Sequence, residues 1–201
     1  MLTRDLSLTL YDIGAIKTGN FTLKSGTTSP IYIDLRLLIS APDVLESLAE
    51  KIHFKTSHLK YDLVCGVPYT AIPIATAFSL KYKKPMILKR KEMKSHGTKR
   101  MVEGIFEPGQ KVLLLEDIVT SGMSLMETID VLEAAELVVE DTVSLVDREQ
   151  GAKEQLKKRG YNLHPLYTLS EILTYLVEGE RITEEKAFEI KQFIKRNQFQ
   201  E

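Results

Sequence analysis

Glu116 and Asp117 stand side by side at the end of an apolar run, Val112 to Leu115, and a loop of mostly small residues follows: Thr120, Ser121, Gly122, Met123, Ser124. Two adjacent carboxylates can accept hydrogen bonds from a sugar diol or share in holding a metal ion. Small residues let backbone N–H groups come close to an anion. A helix that starts just after them adds partial positive charge, which favours a phosphate. Thr120, Ser121 and Ser124 add hydroxyl donors. The two halves together fit a phosphorylated sugar with a free diol. The stretch contains neither the GxxxxGK[ST] of a phosphate-binding nucleotide loop nor the GxGxxG of a dinucleotide site. Spacing alone leaves open an ordinary strand–turn–helix connection with Thr or Ser as its cap.

A second stretch, Lys89 to Gly104, concentrates Lys and Arg in a chain whose formal net charge is only −1. A basic loop is ordinarily just solvated. Beside a polyanionic ligand it could instead stabilise the ligand's negative charge and close over it to exclude water. His96, next to Gly97, is the one of four histidines in such a setting. His53, His58 and His164 fit surface or helix positions and carry no assigned role. Arg148, directly after the run TVSLVD, could pair with a carboxylate in bidentate fashion. On position alone, a surface ion pair with Asp147 or Glu149 explains it better.

These residues must be positioned by a framework, and periodicity supplies one. A helix is expected over 6–17, ending near Gly19, then two strands, FTLKSG and SPIYIDL, around a turn at Gly26-Thr27. Ser40 is expected to cap a helix that has Pro42 in its first turn. Then strand and helix alternate: YDLVCG, TAIPIATAFSLKY, PMILKR, VLLLED, SLMETIDVLEAAEL, DTVSLVD. Continuous apolar runs indicate strands covered on both faces, and alternation with helices indicates a parallel sheet. LSEILTYLVEGE and TEEKAFEIKQFIKRN read as closing amphipathic helices, the second with Thr183 as N-cap. At 201 residues this is one domain with a full core. The near-neutral charge argues against nucleic acid as a partner. No run reaches the length of a membrane span, and the N-terminus does not read as a signal peptide. The single cysteine, Cys65, reads as a buried small side chain, and a cytosolic location is expected.

LLLEDIVTSGMS resembles the binding motif for phosphoribosyl diphosphate (PRPP) of the type I phosphoribosyltransferases. The resemblance implies that Glu116 and Asp117 take the ribose diol and that Thr120 through Ser124 hold the 5′-phosphate, with Ile118 and Val119 inside the motif. The basic stretch resembles the catalytic loop of the orotate phosphoribosyltransferases, a basic pair, then a Lys three places on, then His-Gly; here these are Arg90, Lys91, Lys94, His96 and Gly97. FTLKSGTTSPIYID is similar to the family's substrate segment, which implies PRPP contact by Lys24 and base contact by Tyr32 and Ile33. GVPYTAIPIA is similar to the diphosphate cradle, with Tyr69 matching. Thr70 stands where simpler bacterial members have Lys, which points to the subtype found as the N-terminal half of bifunctional UMP synthase.

From that resemblance follow several expectations. The fold is α/β, a mostly parallel central sheet flanked by helices with a small N-terminal hood formed by about 1–40, in a single domain 1–201. Orotate and PRPP give orotidine 5′-monophosphate and diphosphate, in UMP biosynthesis. Arg90, Lys91, Lys94 and His96 are the catalytic groups, and Thr120 and Arg148 contact orotate. Mg²⁺ is the cofactor, held mainly by substrate and near Asp117. The partners are a second copy in a dimer with shared sites and an orotidylate decarboxylase. A transferase for another base and a non-enzymatic PRPP sensor are the rival expectations.

Overall fold

The computed structural model describes residues 3–22, 26–91 and 101–199. The chain enters through a helix, Thr3–Asp12 (α1), and an antiparallel hairpin, Ile16–Thr22 (β1) with Thr28–Ile33 (β2). A 3₁₀ turn, Leu35–Ser40, leads into Pro42–Thr56 (α2). Next come Leu63–Gly66 (β3), Ala71–Tyr82 (α3), Met86–Lys89 (β4), Val102–Glu103 (β5), Val112–Val119 (β6) and Met123–Glu133 (α4). Asp141–Asp147 (β7), Ala152–Lys158 (α5), Asn162–Thr168 (β8), Leu169–Glu178 (α6) and Glu184–Arg196 (α7) complete it.

The main sheet has the order β5-β4-β3-β6-β7-β8. Every neighbouring pair is parallel except β4 with β5. β6 shows why the strands are apolar throughout. Leu113 and Leu115 face one core with Leu48 of α2, Phe78 of α3 and Ile172 of α6. Val112 and Leu114 face another with Leu125 and Ile129 of α4 and Leu156 of α5. With helices on both faces, neither set of side chains meets water.

The sheet grows outward from β3 to β4 and β5, then returns to β6 on the other side of β3. That reversal opens a crevice at the carboxyl ends of β3 and β6, the usual ligand position in such sheets. Gly66 ends β3 there because nothing larger fits: a Cβ would lie 2.5 Å from the carbonyl oxygen of Ala71. Gly66→Ala is expected to cost about 1–3 kcal/mol of stability through overpacking. A lowered urea midpoint at constant m-value would show it, and an unchanged midpoint would mean that the α3 backbone yields.

Several boundaries differ from the expectation. The first helix ends at Asp12, not near Gly19. Gly14, at φ +78, turns the chain, and Ile16–Thr22 becomes a strand because it finds a partner in β2, with Ile16 opposite Ile33. Ser40 does not cap α2; it ends the 3₁₀ turn, and Ala41 occupies the cap without a side-chain bond. Pro42 at the first position has no amide to satisfy. Thr183 does cap α7, accepting the Lys186 amide. Cys65 is buried, and burial pushes its thiol up to about 11. Three elements had no sequence-based expectation: β5, α5 and β8. β8 tolerates Pro165 because it is an edge strand paired only with β7. Among the described residues no helix is long and apolar enough to cross a membrane.

Candidate active site

The acid pair closes the central strand, and the two acids are not equivalent. Glu116 is 4% exposed and shares its face with Leu114, towards α4. The amide of Asp117 donates to its Oε1 at 3.1 Å and the hydroxyl of Ser124 donates to its Oε2 at 2.7 Å. Burial, and then the neighbouring Asp117 carboxyl, push the Glu116 carboxyl up to about 8. Asp117 is half-buried on the alternate face. Glu116 therefore braces the strand against the first turn of α4. The Ser124 hydroxyl, expected to face a phosphate, is engaged with Glu116.

A carboxyl raised on folding destabilises progressively as pH rises. Between the unfolded value near 4.5 and about 8 the folded state holds a proton that the unfolded chain has lost. Glu116→Gln removes this dependence. Its amide can still accept from Asp117 and donate to a rotated Ser124 hydroxyl. The variant is expected to match wild type near pH 4.5 and to exceed its stability by on the order of 2 kcal/mol at pH 8. Denaturant midpoints across that range check this; parallel curves would show that Glu116 is ionised in the fold.

The loop after β6 meets the helix at Gly122, which has φ +84. A Cβ there would meet only ordinary contacts with Ala152 at 3.6 Å, so the left-handed backbone, not space, calls for glycine. No side chain caps α4. The first-turn amides of Met123, Ser124 and Leu125 have no partner within the helix, which leaves them to an anion. Thr120 and Met123 are exposed, Ser121 and Ile118 half-buried, Val119 buried. The Ala152 amide donates to the Thr120 carbonyl at 3.1 Å, so α5 holds the loop from behind.

Arg148 leaves the next strand at the same edge. Its amide donates to the Val119 carbonyl at 3.0 Å, which puts it beside the loop. Its Nε is buried and has no hydrogen-bond partner among the described residues, and burial pulls its pKa down. No ion pair with Asp147 or Glu149 forms. Asp147 accepts the Glu149 amide at 2.8 Å, and Glu149 Oε2 accepts the Ser170 amide at 2.7 Å. A half-buried guanidinium with an unpartnered Nε favours an anion.

On the other side of the switch point lie Tyr69, after β3, and Arg90 and Lys91, after β4. Lys91 Nζ sits over the Tyr69 ring, 5.0 Å from its centre, so two expected PRPP contacts meet. Arg90 pairs with Glu103 at 3.1 Å, a partner with no local signal, because the pair depends on β5 folding back on β4. Thr70 stands at the start of α3 without a capping bond. Tyr32 is 38% exposed on the hairpin, its ring 5.5 Å from Phe21; Ile33 is half-buried. Lys24, Lys94, His96 and Gly97 lie outside the described residues. A hollow of about 770 Å³ lined by Met101, Val102, Ile105, Phe106 and Val131 lies between β5 and the far end of α4. The crevice is marked by its chemistry rather than by enclosure.

Among the described residues no cluster of three or more His, Cys, Asp or Glu could cage a metal. Mg²⁺ commonly takes only one or two carboxylates from a protein, with the rest of its shell from substrate and water, and the half-buried Asp117 could supply one.

A family model described as the phosphoribosyl transferase domain matches residues 40–164. The uridine 5′-monophosphate synthase of Bos taurus is 48% identical over 193 residues, which is 94% of this chain and 40% of that protein. The orotate phosphoribosyltransferase of Caenorhabditis elegans is 44% identical over 90% of this chain and 81% of its own length. Among solved structures, the UMP synthase of Leishmania donovani superposes with a TM-score of 0.89 at 35% identity, covering 98% of this chain and 43% of that one. The chain thus spans less than half of the bifunctional relatives and most of the monofunctional one. With its switch-point crevice, its matching domain model and these identities, the chain belongs to the phosphoribosyltransferase family, among the orotate phosphoribosyltransferases.

Proposed function

We propose that this chain joins orotate to PRPP, giving orotidine 5′-monophosphate and diphosphate as a step towards UMP. The observation that carries this is the convergence at one sheet edge of Asp117, the uncapped start of α4 and the half-buried Arg148. The α4 amides hold the 5′-phosphate and Asp117 accepts from the ribose hydroxyls. Arg148 takes the carboxylate of orotate, with Thr120, Tyr32 and Ile33 around the ring. The ring nitrogen forms a bond to the anomeric carbon and gives up its proton to solvent or to the departing group, while the bond to diphosphate breaks on the opposite face and diphosphate leaves. Arg90, Lys91, Lys94 and His96 stabilise the departing diphosphate, Tyr69 lies in its cradle and Lys24 contacts PRPP, so the contribution of the protein is electrostatic and positional. Mg²⁺, held mainly by substrate and near Asp117, would supply neutralisation of the diphosphate charge. The buried Cys65 and the modest charge accord with a cytosolic enzyme. A two-fold dimer with shared sites and a decarboxylase that consumes the product complete the reading.

Steady-state consumption of orotate with PRPP, with and without Mg²⁺ and beside uracil, tests it. Metal-dependent turnover of orotate alone is expected. Tight PRPP binding without turnover would make the chain a sensor, and turnover of uracil would move it to another acceptor.

A further inference from the structure

Arg148 reaches the crevice on a short connection between β7 and α5, and that connection is held from outside the sheet. After α7 the chain runs back over it. The Gln198 side chain donates to the Glu149 carbonyl at 2.9 Å, and the Phe199 amide donates to the Gln150 carbonyl at 3.0 Å. In return, the Gln150 side chain, 5% exposed, donates to the Asn197 carbonyl. The tail does little as a hydrophobic cover, since Gln198 is exposed and Phe199 is 41% exposed. What it contributes is directional bonding to the two residues that follow Arg148. The helix it leaves, α7, lines one hollow with the hairpin: Phe188 and Phe193 face Thr28 and Pro30. So one continuous segment touches both parts of the chain that flank the acceptor.

We propose that Asn197–Phe199 is a positioning strap for Arg148, setting acceptor affinity without touching the acceptor. It fixes the backbone of Glu149 and Gln150, and through them the direction in which the guanidinium leaves β7. The half-buried Arg148 side chain has several rotatable bonds, so small backbone drift would spoil a bidentate pair. The inference rests on the reading of Arg148 as the carboxylate-recognising residue.

The test uses the full chain with Gln198→Ala and Phe199→Pro combined. Proline deletes the donating amide and alanine the donating side chain. Both positions are exposed, so the fold should survive. The KM for orotate is expected to rise about tenfold from the loss of two hydrogen bonds, with the KM for PRPP and kcat at saturating orotate within about twofold. Using Gln198→Lys in place of Gln198→Ala restores a nitrogen donor and should recover part of the loss. Arg148→Ala is the control. If it raises the KM for orotate and the double variant does not, the strap is structural only and the inference fails. Equal rises for both substrates with a lowered Tm also overturn it. If Arg148→Ala leaves the KM for orotate unchanged, the fault lies in the reading of Arg148.

Discussion

Lys94→Ala is expected to lower kcat by about a hundredfold or more at saturating orotate and PRPP, the usual cost of removing a charge-stabilising group. Loss of diphosphate concentrates negative charge on the leaving oxygen, and a close cation acts on that state more than on bound substrate. The effect should therefore fall on kcat more than on the KM for PRPP. In the proposed mechanism Lys94 is that cation. The Arg90 amide donates to the Met101 carbonyl at 2.8 Å, and β4 pairs with β5. Arg90 and Met101, which flank the stretch that holds Lys94, are thus joined directly to each other. Rapid-quench and steady-state rates with the variant check this. A change confined to the KM for PRPP would reduce Lys94 to a binding contact.

Arg148→Ala is expected to lower kcat/KM for orotate by about a hundredfold, the worth of a charge-assisted bidentate pair. PRPP binding should stay as in wild type. Any residual activity with uracil, which lacks the carboxylate, should not fall in parallel, so the preference for orotate collapses. Arg148→Lys should rescue poorly, because one ammonium cannot reproduce the planar fork. Competition assays with both acceptors give the ratio directly. An unaltered ratio would return Arg148 to a packing role.

The acid pair and its loop were legible because chemistry and local geometry coincide in neighbouring residues. An apolar run must be a covered strand, small residues must follow where a helix starts close to an anion, and both signals sit between Val112 and Ser124. The alternation of strands and helices followed for the same reason: burial on both faces removes polar residues from a strand. The unequal standing of Glu116 and Asp117 was not legible. Adjacent carboxyls look alike until one turns towards α4 and loses water.

Residue types and their order thus fixed the class of fold, the motif for a phosphorylated sugar and the basic segment that would serve it. Those are local properties, set by hydrophobic period, backbone freedom and charge. Packing settled what depends on contacts between distant parts of the chain. β1 is a strand because Ile16 meets Ile33, and β8 is one because β7 offers its free edge. Arg148 is a half-buried cation rather than a surface ion pair because Glu149 is drawn away to Ser170 and the tail closes over Gln150. No local pattern encodes such pairings, since each partner is ordinary until the fold brings it to the other.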